Sequence, residues 1–547
     1  MSAGSAHVDT FAHDNLPPRD QWPVMNFDLP ELRYPERLNC GVELLDRMVG
    51  QGHGDRPCII APGGTWTYSD LKDRADRIAR VLTEDLGVVP GNRVLLRAAN
   101  NPMMVACWFA VMKAGAVAVP TMPLLRAGEL TVVAEKAQVT VALCDARLAD
   151  EMEAARRRAP VIGRIAYFNG EGGPESLEAR MAAKPGGFAN VDTAADDICM
   201  IAFTSGTTGT PKGTMHVHRD VLAICDTFSR HVLKPQPDDV FCGSPPLAFT
   251  FGLGGLVTFP LRVGAATLLL EKATPDALLD GIAAHRATVC FTAPTAYRAM
   301  LGLLKDRDIS SLRKCVSAGE ALPLPTWQAF REATGIEIID GIGSTEMLHI
   351  FISASGSDIR PGSTGRPVPG YEACVLDEEG RPVPPGTVGR LAVRGPTGCR
   401  YLADDRQRNY VQGGWNLTGD AYKMDEDGYF WYQARTDDMI VSSGYNIAGP
   451  EVERALLAHA DVAECAVIGA PDPERGQIVK AFVVLKPGVE ADTAKAKALQ
   501  DFVKQEIAPY KYPRAIEFVE ALPRTESGKV QRFRLREMER GRLEEAK

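Results

Sequence analysis

Short apolar runs alternate with helix-length segments over much of this chain, and that alternation limits the fold more than any other feature. Pro57–Ala61 reads as a strand. Thr67-Tyr-Ser-Asp70 then has the spacing of a capping box at a helix start, and Leu71, Ala75, Ile78, Ala79 and Leu82 line one face of the helix that follows. Val94–Leu96 is the next strand, Met103–Met112 a largely apolar helix closed by Lys113-Ala-Gly115, Ala116–Val119 a strand ending at Pro120, and Val139–Leu143 another. Ala265–Leu270, Thr288–Thr292, Lys314–Val316 and Glu337–Ile339 repeat the pattern further on. The spacing predicts α/β layers with mostly parallel sheets.

From about Gly362 the texture changes. Glycine and proline become frequent, and short strands recur at hairpin spacing, as in Ala373–Leu376 and Gly389–Val393, which predicts a small β-rich subdomain. After Arg435 it changes again. Ile447–His459 reads as a helix, Val462–Ile468 and Ala481–Leu485 as strands, and Thr493–Ile507 as a helix, together a compact α+β unit. A chain of 547 residues is too long for one core. The expectation is a large N-terminal domain over 1–436, built of layered α/β subdomains plus the β-rich one, and a small α+β domain over 437–547. Residues 1 to about 40, rich in Pro, Asp and Arg, are expected to wrap over the surface.

Composition narrows the function classes. The formal charge of −9 argues against a nucleic-acid partner, and glutamates interrupt the locally basic stretch Arg524–Arg542, which reads as a solvated face. The 12 cysteines include no C-x-x-C pair and read as small core residues in a reducing compartment. His216 and His218 alone make no zinc site. The start Met-Ser-Ala-Gly-Ser-Ala-His lacks the regions of a signal peptide, and no apolar run is long enough to span a bilayer. A cytoplasmic protein with no membrane partner is expected.

The chemistry centres on Thr204-Ser-Gly-Thr-Thr-Gly-Thr-Pro-Lys-Gly213, which follows the apolar run Ile198–Phe203. The loop offers three glycines, five hydroxyls and one lysine, and no acid. Glycines let backbone N–H groups converge into an anion-binding nest. Hydroxyls add donors and Lys212 a mobile charge, so the composition suits a polyphosphate. It is not a Walker A loop, because Pro211 occupies the place of that motif's second glycine. A solvated turn is the plainer reading, but such turns rarely follow a buried strand with this composition.

Four further motifs follow. In Asp340-Gly-Ile-Gly-Ser-Thr-Glu346 an apolar strand runs into glycines and then a carboxylate. A glutamate beside a polyphosphate is a natural ligand for Mg²⁺, which takes one or two carboxylates plus phosphate oxygens; alone, the segment is an ordinary turn. Leu417-Thr-Gly-Asp420 precedes Arg435-Thr-Asp-Asp438, and a carboxylate suits a diol because it accepts two hydrogen bonds. The remaining two are Val441-Ser-Ser-Gly-Tyr-Asn-Ile447 and Pro523-Arg-Thr-Glu-Ser-Gly-Lys529. A lysine on a glycine-containing turn is ordinarily just solvated.

In this order and spacing, the five motifs resemble the adenylate-forming superfamily of acyl- and aryl-CoA synthetases, adenylation domains and luciferases. The resemblance implies that Thr204, Ser205, Gly206, Thr207, Thr208, Gly209 and Lys212 cradle ATP, and that Ser317, Ala318, Gly319 and Glu320 pack on adenine with Asp340 near its amine. It places Gly341, Ile342, Gly343 and Ser344 beside the nucleotide, Thr345 on the α-phosphate, Glu346 on Mg²⁺, and Asp420 with Arg435 on the ribose. Family members usually carry glycine where this chain has Ala434. By the same resemblance Asp437 is the hinge of a mobile C-terminal domain, Ser443 and Gly444 line the tunnel for coenzyme A, and Lys529 is the catalytic lysine.

Phe249-Thr-Phe-Gly-Leu-Gly254 and Asp340–Phe351 are similar to benzoate-type CoA ligases, and most to 2-aminobenzoate-CoA ligases. The acyl pocket is expected among Phe249, Thr250, Phe251, Gly343, Leu348 and His349. The implied substrates are an aromatic carboxylic acid, ATP and CoA. A ligase for benzoate or another carboxylate, or an adenylation enzyme serving a carrier protein, stays open, as does monomer against homodimer. Against an amino-acid adenylation domain, Phe249-Thr-Phe251 carries no aspartate for an α-amine, and little chain follows Lys529. A luciferase-type oxygenase shares the motifs. Intact Lys212, Glu346 and Lys529 argue against a regulatory protein without turnover.

Overall fold

The structure is a computed structural model and describes residues 4–204, 211–305, 307–442, 445–472, 476–507, 511–524 and 530–545. The chain forms two compact units, Met1–Ala373 with Ala392–Leu417, and Cys374–Leu391 with Thr418–Lys547.

In the first unit the strands are β1 (Pro57–Ala61), β2 (Gly64–Thr67), β3 (Arg93–Arg97), β4 (Val117–Thr121), β5 (Val141–Asp145), β6 (Arg164–Phe168), β7 (Ile198–Thr204), β8 (Lys212–Val217), β9 (Val240–Gly243), β10 (Ala266–Leu268), β11 (Val289–Thr292), β12 (Lys314–Ser317), β13 (Ile338–Gly343), β14 (Ile350–Ser353) and β15 (Arg366–Pro367). They build a six-stranded sheet of order β6-β5-β3-β4-β7-β8 and a nine-stranded sheet of order β15-β14-β13-β12-β11-β9-β10-β1-β2. Pairing is parallel from β6 through to β7, and from β13 through β12, β11, β9 and β10 to β1. Parallel neighbours need crossovers, and the helix-length segments of the sequence supply them. This is the expected α/β class.

Local chemistry explains the elements. Thr67 and Asp70 form the capping box at the start of the helix Tyr68–Arg80, each side chain taking the other's backbone N–H. Asn101 caps the almost wholly buried helix Pro102–Lys113, with proline in its first turn where the missing N–H costs nothing. Leu95, Val119, Ala142, Ile201 and Met215 form one core around the six-stranded sheet, and Cys242, Leu279, Cys290, Tyr297, Cys315 and Trp327 another around the nine-stranded one. The N-terminal segment wraps as short turns pinned by buried Ala12, Leu32, Leu38 and Cys40, and the Ser5 hydroxyl donates to Asp197 at 2.5 Å. Eleven of the twelve cysteines are buried, Cys374 is half-buried, and no two are joined among the described residues. No helix among the described residues is long and apolar enough to cross a membrane.

Three local expectations change. Pro120 lies inside β4, opposite Leu96, rather than ending it; β4 pairs with β7 only at Ala118 and Met200, so no ladder bond is asked of the proline nitrogen. The helix expected from Ile447 begins at Gly449, because Ile447 belongs to the strand Tyr445–Ala448 and Pro450 sits in the first turn. β2, β6, β8, β9, β14 and β15 have no counterpart in the sequence reading.

In the second unit, Asp420 and Ala421 pair antiparallel with Arg435 and Ala434. A separate sheet joins Met439–Ser442, Tyr445–Ala448, Val462–Asp472, Gly476–Leu485 and Ala515–Phe518, packed on helices Gly449–Leu457 and Thr493–Glu506 through Ile440, Val452, Leu456, Val467, Leu499 and Val503. It is the α+β unit anticipated.

Candidate active site

Ligands in open α/β sheets bind outside the carboxyl ends of parallel strands, and the predicted site residues of the first unit gather there. β7 and β8 form an antiparallel hairpin in which Thr204 stands opposite Lys212, so both arms of the glycine-rich loop are fixed. Ser205, Gly206, Thr207, Thr208 and Gly209 lie outside the described residues. Side chains alternate along a strand. Met215 and Val217 therefore enter the core, while Lys212, Thr214 and His216 share the opposite face.

That face meets the Glu346 turn. The Lys212 ammonium donates to the Tyr401 hydroxyl at 3.2 Å and lies 5.0 Å from the ring centroid. The Tyr401 hydroxyl in turn donates to Glu346 Oε1 at 2.5 Å. His216 Nε2 donates to the Thr345 carbonyl at 2.8 Å. Behind His216, Asp220 is fully buried and contacts Arg400; burial alone would raise its pKa, but the Arg400 charge and then His216 hold it below the usual carboxylate range. Leu348 closes the turn in the left-handed region at φ 68°, its N–H donating to the Thr345 carbonyl at 3.2 Å. The Ser344 hydroxyl lies 3.2 Å from that of Tyr410.

Parallel pairing of β12 with β13 sets Ser317 beside Asp340. Burial pushes the Asp340 pKa up to about 7, against the pull of the Gly341 N–H and the Ser317 hydroxyl. Asp340 Oδ1 has no hydrogen-bond partner among the described residues. Ala318 is buried and Glu320 half-buried at the start of the following loop.

The aromatic segment follows β9. Phe249 is 40% exposed and Thr250 8%. Phe251 turns onto His349, which is 2% exposed and ringed by Phe228, Phe251, Phe259 and Phe291 at centroid distances of 5.5, 5.6, 4.5 and 6.4 Å. Burial drives the His349 pKa down to about 3, so the imidazole is neutral. The Phe251 backbone pulls the other way, though neither ring nitrogen makes a well-formed hydrogen bond among the described residues. Glycine is required beside this ring, since a Cβ on Gly254 would lie 2.3 Å from His349 Cδ2. A Cβ on Gly343 would meet the His349 carbonyl carbon at 2.7 Å, so the β13 terminus packs directly on it. Leu348 is buried.

In the second unit the Arg435 guanidinium donates to Asp420 Oδ1 at 3.1 Å and to the Thr418 carbonyl at 3.2 Å. Asp437 lies in the turn Thr436–Asp438. Ser443, Gly444 and Lys529 lie outside the described residues. The flanks of the segment carrying Lys529 are held together: the Gln531 N–H donates to the Pro523 carbonyl at 2.8 Å, and Arg524 bridges Val530.

Sequence reasoning missed Tyr401, Tyr410, His216 and the Phe228, Phe259 and Phe291 walls. They stand in unexceptional contexts, and only the fold brings them to the named motifs.

A glycine-rich hairpin, a carboxylate turn at a parallel strand end and a cage of aromatic rings around a buried histidine are the features of an adenylate-forming enzyme of the α/β class. Residues 46–401 match the model of the AMP-binding enzyme family, and residues 451–529 that of the AMP-binding enzyme C-terminal domain. The benzoate–CoA ligase of Thauera aromatica is 36% identical over 514 residues, covering 93% of this chain and 97% of that protein. The solved anthranilate CoA ligase AuaEII, in complex with anthranoyl-AMP, superposes with a TM-score of 0.87 at 36% identity, covering 93% of this chain and 99% of that one. A benzoate CoA ligase from Burkholderia xenovorans LB400 gives 0.82 at 34% identity, over 91% of this chain and 100% of that one. The chain belongs to the AMP-binding enzyme family, in its aryl-CoA ligase branch. Its activity is that of an AMP-forming acid–thiol ligase, with ATP and coenzyme A as co-substrates.

Proposed function

We propose that this enzyme joins an aromatic carboxylic acid, 2-aminobenzoate or a benzoate-type acid, to coenzyme A. The observation that carries this reading is His349: a neutral, buried imidazole whose ring nitrogens make no well-formed hydrogen bond among the described residues, inside a phenylalanine cage and next to the segment of Thr250. Flat apolar walls suit a benzene ring, and a buried polar atom without a partner is costly unless a ligand completes it. The names of the relatives, benzoate and anthranilate CoA ligases, support the same substrate class.

In the first half-reaction the acid's carboxylate attacks the α-phosphorus of ATP and pyrophosphate leaves. Lys212 and Thr208 hold the outer phosphates, Thr345 the α-phosphate, and Lys529 bridges carboxylate and α-phosphate. Asp340 Oδ1 takes the adenine amine, and Asp420 with Arg435 the ribose. The donor set fits a magnesium ion: one Glu346 oxygen is committed to Tyr401, and the other has no protein partner among the described residues. Mg²⁺ held there would withdraw charge from the polyphosphate. In the second half-reaction the CoA thiolate attacks the acyl carbonyl and AMP leaves. We propose that residues 437–547 turn about Asp437 between the halves, withdrawing Lys529 and bringing Gly444 and Ser443 to the pantetheine arm.

The test is CoA-dependent pyrophosphate release over 2-aminobenzoate, benzoate, hexanoate and acetate. Turnover should favour the aryl acids, and a preference for hexanoate or acetate over both would reject the aryl reading.

A further inference from the structure

We infer that Tyr401, which no motif marks, is a positioning residue for adenylation: its hydroxyl ties the polyphosphate lysine to the magnesium carboxylate and sets which carboxylate oxygen is left for the metal. The inference rests on the reading of Lys212 and Glu346 given above.

The hydroxyl is held from every side. The segment Arg400–Leu402 lies against β8 as an added strand: the Met215 N–H donates to the Arg400 carbonyl at 2.8 Å, the Leu402 N–H to the Gly213 carbonyl at 2.8 Å, and Tyr401 bridges Thr214. The Tyr401 N–H donates to Gln407 Oε1 at 2.9 Å. Its ring is fully buried and meets Tyr410 edge to face at 5.8 Å, and the hydroxyl of Tyr410 reaches the Ser344 side chain of the carboxylate turn. The phenol cannot swing away without breaking this packing.

A phenol has one proton to give. Here it goes to Glu346 Oε1, and the lysine, which has only donors, gives to the phenol oxygen. The order ammonium, hydroxyl, carboxylate is therefore fixed, and each bond polarises the next. Two effects follow. Glu346 presents the oxygen not bonded to Tyr401, in a fixed orientation. Lys212, on a long flexible stem, is restrained before any nucleotide arrives, and side-chain freedom lost beforehand is not lost on binding.

Tyr401→Phe deletes the oxygen and keeps the ring. Pyrophosphate exchange into ATP, followed against Mg²⁺ and ATP concentrations, should show both half-saturation values raised about tenfold, the size expected for one hydrogen bond to a charged group. Thioester formation from synthetic aryl adenylate and CoA should stay within about twofold, a split that loosened packing would not give. Glu346→Gln alone should also displace the Mg²⁺ curve, and the double variant should be little worse than Glu346→Gln. The proposal is overturned if Tyr401→Phe titrates with Mg²⁺ and ATP like wild type while Glu346→Gln does not, if the two changes add fully, or if Tyr401→Phe fails to fold. Should Glu346→Gln leave the Mg²⁺ curve unmoved, the reading of Glu346 as metal carboxylate falls first, and this inference with it.

Discussion

At the scale of single residues, the proposed specificity rests on one buried imidazole. Thr250 and His349 are the polar side chains among the residues proposed to line the acyl site, and the His349 nitrogens make no well-formed hydrogen bond among the described residues. A hydrogen bond from either to an ortho substituent would contribute about 0.5–1.5 kcal/mol net, or roughly threefold to tenfold in preference. The ratio of kcat/KM for 2-aminobenzoate over benzoate should drop by that factor in Thr250→Ala or in His349→Phe, which keeps an aromatic ring in the cage. An unchanged ratio in both would mean that neither reads the ortho group. His349 was named from the sequence through the resemblance of Asp340–Phe351 to benzoate-type CoA ligases. Its surroundings were not: Phe228, Phe259 and Phe291 come from other elements, and a lone phenylalanine in an apolar run is indistinguishable from ordinary core. Tyr401 was hidden for the same reason, since a tyrosine shows its use only through the two groups that meet its hydroxyl.

At the scale of elements, β8 shows how one strand serves two ends. Its alternation sends Met215 into the core and Lys212 and His216 to the site. Met215→Ala should therefore lower the free energy of unfolding by about 2–5 kcal/mol and leave the turnover of the folded enzyme near wild type. His216→Ala removes the donor to the Thr345 carbonyl and should slow adenylation about tenfold. Equal kinetic losses from the neighbouring substitutions would dissolve the two-faced reading. Strands β1, β3, β4, β5, β7, β10, β11, β12 and β13 were legible from their apolar runs, with ends displaced where pairing, not hydrophobicity, decides, whereas β6 and β9, which also pair in parallel, were not read. β8 escaped because its alternation is masked by a lysine, a glycine and a histidine, and because the polar loop before it reads as a longer connection than it is. Ile447 was misassigned to a helix because an isoleucine next to a helix start satisfies both periods; the strand partner Ile440 claims it.

At the scale of the whole molecule, the reaction demands two chemistries from one chain, and the proposal divides them between Lys529 and Gly444. Lys529→Ala should lower adenylation by about 10²–10³, the cost of losing a preorganised charge-stabilising donor, while thioester formation from supplied aryl adenylate survives. Gly444→Leu should do the reverse, sparing adenylate formation and blocking the thiol. Single-turnover assays of each half-reaction separate the two. Equal loss in both halves for either variant would end the division of labour. The change of texture after Arg435 revealed a small α+β body, because a run of new strand and helix signals after a Gly- and Pro-rich stretch has few other readings. That Cys374–Leu391 packs with the residues beyond Thr418 was not legible. Non-local pairing of short strands leaves no mark on local composition.

The cysteines add an internal clock. Since eleven of twelve are buried and only Cys374 is half-buried, a water-soluble thiol reagent in excess should label about one site quickly in the native enzyme, because reaction needs an accessible thiolate. The other thiols become reactive only as the chain opens, so the later labelling steps time the opening of each unit in turn. Cys465 reports on the second unit and the ten from Cys40 to Cys315 and Cys399 on the first. Rapid labelling of most thiols under native conditions would contradict this. The protein thus carries, without any added probe, a built-in record of which body unfolds first.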